Sequence, residues 1–230
     1  MRTLGLIGGM SWESSSEYYR IINQGVRDRL GAKASARLVL WSFDFAEIAA
    51  LQAANDWPAL DALMVDAALR LEAAGAEAIV ICTNTMHKCA PAIEAASALP
   101  LIHIADPTAA ALKADAHARV GLLGTAFTME QAFYRARLED QHGLEVLIPE
   151  AEDRAVVHRV IYEELVTGRI EDSSREAYRA VIARLVAKGA TAVILGCTEI
   201  MLLVGPEDSA VPLYDTTRLH AEAAIAAALA

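Results

Sequence analysis

A threonine and a cysteine in matched settings are the side chains of this chain best placed to do chemistry. The segment Gly75-Ala76-Glu77-Ala78-Ile79-Val80-Ile81-Cys82-Thr83-Asn84-Thr85 has a counterpart in Gly189-Ala190-Thr191-Ala192-Val193-Ile194-Leu195-Gly196-Cys197-Thr198-Glu199. Laid together without a gap, Thr83 falls on Cys197. Each follows an apolar run and precedes a helical pattern. A thiol at a helix N-terminus is expected to have a lowered pKa, so that part of it is thiolate near neutrality. The competing reading of Cys197 is a buried, inert cysteine. Thr83-Asn84-Thr85 would aim backbone N–H groups and side chains at a carboxylate, unless Asn84 or Thr85 only caps the helix. A duplicated half-molecule tends to set equivalent loops face to face. One proton-handling group on each wall of a cleft is what stereoinversion of a carbon acid requires.

The neighbouring candidates carry less. Cys82 lies one residue early, so a regular strand points it away from Thr83 and into the core. Cys89 reads as structural. His87 and His103 suit a hydrogen-bonded wall as well as a base, and Asp106 and Asp215 suit helix caps. Gly5-Leu6-Ile7-Gly8-Gly9-Met10 lacks the Gly-x-Gly-x-x-Gly spacing and the later acidic residue of a dinucleotide site. It fits a loop approaching a small ligand. The three cysteines have no zinc spacing and cannot form an even disulfide set.

The elements that must carry these residues alternate. Strands are expected at 4–7, 37–41, 78–81 and 101–104, and again at 120–123, 145–148, 192–195 and 211–214. Helices are expected near 15–30, 58–74, 86–97, 128–142, 153–167, 173–188 and 215–229. Repeated β-α-β predicts parallel sheets covered by helices. Leu4-Gly5-Leu6-Ile7-Gly8 resembles Val120-Gly121-Leu122-Leu123-Gly124, and Leu99-Pro100-Leu101-Ile102 resembles Val211-Pro212-Leu213-Tyr214. Three matched segments in one order predict an internal duplication. Ligands of such sheets bind at the carboxyl ends of strands, which nominates the loops 8–14, 42–52, 83–87, 124–128 and 196–199.

A chain of 230 residues can bury roughly 70–75% of its unfolded surface, enough for one large or two small domains. A net charge of −10 argues against nucleic-acid and anionic-membrane partners, while a local pocket can still take an anion. The amino-terminal apolar run is too short for a signal peptide, and no apolar stretch reaches bilayer length. A reduced, cytoplasmic protein is the expectation.

At Gly8-Gly9-Met10-Ser11-Trp12-Glu13-Ser14, Asp44-Phe45, Asn84-Thr85-Met86-His87 and Gly196-Cys197-Thr198-Glu199, the chain resembles the aspartate/glutamate racemase superfamily over essentially its whole length. The resemblance is to the broad-specificity or L-aspartate/glutamate-specific branch. It implies a cofactor-independent amino-acid racemase, with no metal, acting on a small amino-acid substrate. It also implies a homodimer of two pseudo-symmetric α/β domains, each with a parallel four-stranded sheet flanked by helices and the active site in the cleft between them. The first domain would be 1–99 plus 213–230 and the second 100–212.

The usual family pattern has a cysteine directly before Asn-Thr; here that position is Thr83, with Cys82 displaced by one. The chain resembles a subgroup with a Thr/Cys pair, which implies directional or substrate-restricted activity. Carried onto matching positions, the resemblance gives Thr83 and Cys197 as the catalytic pair. It gives Met10, Gln52, Asn84, Thr85 and Thr198 as substrate contacts. Cys82 and Glu199 are candidates for assisting roles. Two rivals stand beside this reading. One is an arylmalonate-type decarboxylase using Cys197 alone; the other is a catalytically impaired amino-acid-binding protein.

Overall fold

The apolar runs become eight strands, and the strands sort into two sheets of four. The computed structural model describes residues 1–230 and divides into two units, Met1–His103 with His220–Ala230, and Ile104–Leu219.

In the first unit, β1 (Leu4–Gly8), β2 (Leu38–Ser42), β3 (Ala78–Ile81) and β4 (Leu101–Ile102) form a parallel sheet in the order β2-β1-β3-β4. β1 and β3 are buried along their whole length, so they read as unbroken apolar runs rather than alternating ones. Helix α1 (Trp12–Leu30) follows β1 and is capped by Ser11, whose side chain accepts from the Ser14 N–H. After β2 comes α2 (Phe45–Ala53), where an open loop was expected. Asp44 caps it by accepting from the Ala46 N–H at 2.9 Å. With nine residues, α2 is too short to display a clear 3.6-residue period. Helix α3 (Trp57–Ala73) carries Pro58 in its first turn, as expected. The helix expected at 86–97 is a 3-10 turn, Thr85–Cys89, running into α4 (Ala90–Ala96). Pro91 in the first turn of α4 has no N–H to give to the preceding turn, which suits a fresh helix start there, while Ala90 before it keeps α backbone at φ −54° and ψ −43°.

The second unit repeats the layout. Helix α5 (Ala105–Ala114) leads into β5 (Arg119–Gly124). With β6 (Glu145–Leu147), β7 (Ala192–Gly196) and β8 (Leu213–Asp215) it forms a parallel sheet in the order β6-β5-β7-β8. The continuous helix expected at 128–142 is instead α6 (Ala126–Glu130), α7 (Ala132–Ala136) and a π turn, Arg137–Gln141. Gln131 between the two helices has extended backbone, φ −87° and ψ 150°, which ends the first helix. Helices α8 (Ala151–Glu163), α9 (Asp172–Ala187) and the four-residue α10 (Ile200–Leu203) follow.

Helix α11 (Thr216–Leu229) returns the chain to the first unit. There Ala221, Ala224, Ile225 and Ala228 pack into a core with Leu4, Leu6, Tyr18, Ile22 and Val80. No helix is long and apolar enough to cross a membrane.

Candidate active-site residues

In the first unit the candidates collect where β1 and β3 end. The Cys82 N–H still donates to the Ile7 carbonyl at 2.9 Å, so the strand geometry holds through that residue. Strand alternation then sends the Cys82 thiol inward: it is 1% exposed, part of the core, and burial pushes its pKa far up. Thr83, the next residue, is half-buried rather than enclosed. Asn84 makes no side-chain cap bond to the turn that follows, so capping does not explain that residue. Asn84 and Thr85 are buried, as are Met10 and Gln52. Gln52 on α2 reaches the segment after β3, its Nε2 lying 3.3 Å from Met86 Sδ. Gly9 has φ +82°, and a Cβ there would lie 2.2 Å from the Phe43 carbonyl oxygen. Only glycine lets the β1 loop close so tightly on the β2 loop.

In the second unit, β5 and β7 approach closely just before Cys197. A Cβ on Gly196 would lie 2.7 Å from the Leu123 carbonyl oxygen. Cys197 is 8% exposed, and its Sγ lies 2.9 Å from Glu199 Oε2. Thr198 Oγ1 donates to the same oxygen at 2.8 Å. Burial first, then the Glu199 charge and its hydrogen bond, drive the thiol pKa well above its ordinary value. Backbone N–H groups of Thr198 and Glu199 pull the other way and are outweighed. The lowered pKa expected from a helix start is therefore corrected: the resting group is a thiol whose proton points at a carboxylate.

Sequence reasoning passed over two tyrosines, Tyr162 on α8 and Tyr178 on α9, whose hydroxyl pKa values burial raises. His158 stacks on Tyr162 with ring centroids 4.6 Å apart and accepts from the Ala126 N–H at 3.2 Å. The readable signal was the His158/Tyr162 spacing of one helical turn.

Within each sheet the two key residues hold the same position. β1 pairs with β3 from Leu4↔Ala78 to Ile7↔Ile81, and β5 pairs with β7 as Val120↔Ala192 to Leu123↔Leu195. Thr83 comes two residues after Ile81, and Cys197 two residues after Leu195. The caps repeat too. Ser11 and Ser14 hydroxyls lie 3.2 Å apart, as do those of Thr125 and Thr128, with Thr125 accepting from the Thr128 N–H. The duplication thus extends to hydrogen bonds, and it supports the gapless alignment.

Comparison with known proteins gives the same direction. The model of the Asp/Glu/Hydantoin racemase family matches residues 7–224. A crystal structure from Yersinia pestis, of a protein assigned as an Asp/Glu racemase, matches with TM-score 0.93 and 55% identity over 100% of both chains. An aspartate racemase homologue from Pyrococcus horikoshii matches with TM-score 0.86 and 31% identity over 100% of both chains. The broad-specificity amino-acid racemase RacX of Bacillus subtilis is 25% identical over 170 residues, 73% of this chain and 71% of that protein.

Proposed function

Because the chain belongs to the Asp/Glu/Hydantoin racemase family, we propose that it is an amino-acid racemase inverting the α-carbon of aspartate or glutamate without a cofactor. Cys197 and Thr83 would handle the proton on opposite faces of the substrate. The observation that carries this reading is the Cys197 thiol 2.9 Å from the Glu199 carboxylate, at the position in its sheet that Thr83 holds in the other.

The chemistry follows from that contact. Glu199 takes the thiol proton, and the thiolate takes the α-proton from one face. A thiolate whose conjugate thiol has a high pKa is a stronger base than a stabilised one, which suits a weakly acidic C–H. The negative charge left on the α-carbon spreads into the substrate carboxylate. Backbone N–H groups and side chains of Asn84, Thr85 and Thr198 would hold that carboxylate, with Met10 and Gln52 closing around the substrate. Thr83 then gives its hydroxyl proton to the opposite face and recovers one from solvent. A hydroxyl is a far poorer acid–base than a thiol, so turnover through Thr83 is the slow direction. The buried Cys82 has no step in this scheme. The assembly proposed is a homodimer.

The test is α-proton exchange in deuterated water, followed separately for L- and D-aspartate and L- and D-glutamate. Unequal exchange of the two enantiomers, abolished by Cys197→Ala, is expected. Equal rates would remove the asymmetric pair, and exchange surviving in Cys197→Ala would remove the base. The protonated resting thiol also suits a decarboxylase, which needs only a proton donor to a carbanion. Release of carbon dioxide from an arylmalonate, without α-exchange of amino acids, would identify that chemistry. Ligand-induced stabilisation with no exchange would identify a binding protein.

A further inference from the structure

Three buried histidines of the first unit lie in one cluster beside Thr83, and the proposed mechanism uses none of them. The His87 ring meets the His103 ring with centroids 4.6 Å apart and the His220 ring with centroids 5.5 Å apart, both edge-on. All three residues are at most 4% exposed. His220 is fixed at both nitrogens: Nε2 donates to the Ile102 carbonyl at 2.6 Å, and Nδ1 accepts from the Tyr18 hydroxyl at 2.8 Å. His220 is therefore a rigid wall for the His87 ring.

His87 is where this cluster reaches Thr83. The 3-10 turn after β3 opens with a bond from the His87 N–H to the Asn84 carbonyl at 3.1 Å. That bond starts one residue beyond Thr83 and does not hold the Thr83 carbonyl. The His87 imidazole does so instead, with Nδ1 2.8 Å from that oxygen. A carbonyl only accepts, so Nδ1 carries the hydrogen. The chain switches there from strand to helical backbone, with Asn84 at φ −69° and ψ −48°. Fixing the Thr83 carbonyl fixes the peptide plane at the switch, and with it the direction of the Thr83 hydroxyl.

We propose that His87 is a positioning residue for the Thr83 half of the reaction, acting through its Nδ1 hydrogen bond to the Thr83 carbonyl. This rests on the reading of Thr83 as the second proton-handling group. It assigns to the Asn-Thr-Met-His segment a role beyond holding substrate. The slow face of the reaction depends on His87, and the Cys197 face does not.

The experiment compares His87→Asn, whose amide nitrogen can reach the place of Nδ1, with His87→Gln, whose amide extends toward the place of Nε2. Both put a polar amide in the same buried position, so general damage falls on both, and thermal unfolding monitors it. Thr83→Ala is the reference. α-Deuterium exchange is measured for each enantiomer of the substrate. His87→Gln is expected to slow exchange of the Thr83-face enantiomer at least about tenfold, since misplacing a reacting group by a fraction of an ångström costs rates of this order. Exchange of the Cys197-face enantiomer should stay within about twofold on the same geometric argument, and His87→Asn should keep most of the Thr83-face rate. Equal loss on both faces, or equal behaviour of Asn and Gln, overturns the inference while Thr83 stands. If Thr83→Ala leaves both faces unchanged, the reading of Thr83 itself falls, and His87 with it.

Discussion

The contact between Cys197 and Glu199 sets the chemistry of the sulfur, and it makes that sulfur slow to react with alkylating agents. With the pKa raised by burial and by a carboxylate, little thiolate is present at pH 7. Alkylation by iodoacetamide, mapped to Cys197 by mass spectrometry, should be slow at neutrality and climb only at a pH above the ordinary thiol pKa of about 8.5. A plateau already at pH 7–8 would mean a stabilised thiolate. Glu199→Gln removes the charge that resists ionisation, so the climb should move to lower pH. The same variant loses the proposed proton acceptor, and α-exchange should fall about 100-fold or more. Faster alkylation with slower exchange separates these two roles of one carboxylate. Cys82, enclosed in the first core with its pKa also raised by burial, should stay unmodified while the protein is folded.

At the scale of elements, the stability of the Cys197 loop depends on the closeness of β5 and β7. Gly196→Ala puts a methyl group 2.7 Å from the Leu123 carbonyl oxygen and 2.9 Å from Leu122 Cδ1. Backbone must shift, at a cost of about 1–3 kcal/mol, which a lowered Tm would register together with loss of exchange. Helix α6 is tied to α8 by His158, which accepts the Ala126 N–H only when neutral. Burial lowers the His158 pKa, so its contribution is complete above the ordinary histidine value of about 6.5 and is lost as pH falls through the lowered one. Unfolding midpoints measured down to pH 5 should fall less for His158→Gln than for the parent chain. All eight strands were legible as short apolar runs, the inner β1, β3, β5 and β7 most plainly because burial on both faces keeps them almost wholly apolar. α2 was not, since nine residues give little period, and the break at Gln131 was not, since no proline or glycine marks it. The equivalent placement of Thr83 and Cys197 in the two sheets could be read from the repeat. The ionisation of Cys197 could not, because it depends on a Glu199 rotamer and on burial, and the helix meant to lower the pKa is only four residues long.

For the whole molecule, the outer face of α1 supports the proposed homodimer. Trp12 and Tyr19 lie two turns apart on that helix and are 68% and 56% exposed, an apolar pair that burial against a second copy would cover. On the proposed assembly the parent chain is expected to sediment as dimer and the double variant Trp12→Ser/Tyr19→Ser as monomer; a dimeric variant would place the interface elsewhere, and a monomeric parent would remove the dimer. The connectivity has a separate effect. Ile104–Leu219 interrupts the first unit, whose last segment is His220–Ala230. The two crossings are neighbours, since His220 bonds the Ile102 carbonyl. During translation the unit begun first is therefore the one finished last. Until the final helix leaves the ribosome, Leu4, Leu6 and Val80 lack Ala221, Ala224 and Ile225, their packing partners. A chain that stalls or loses its last dozen residues exposes that greasy surface, and quality-control proteases should enter through the amino-terminal half.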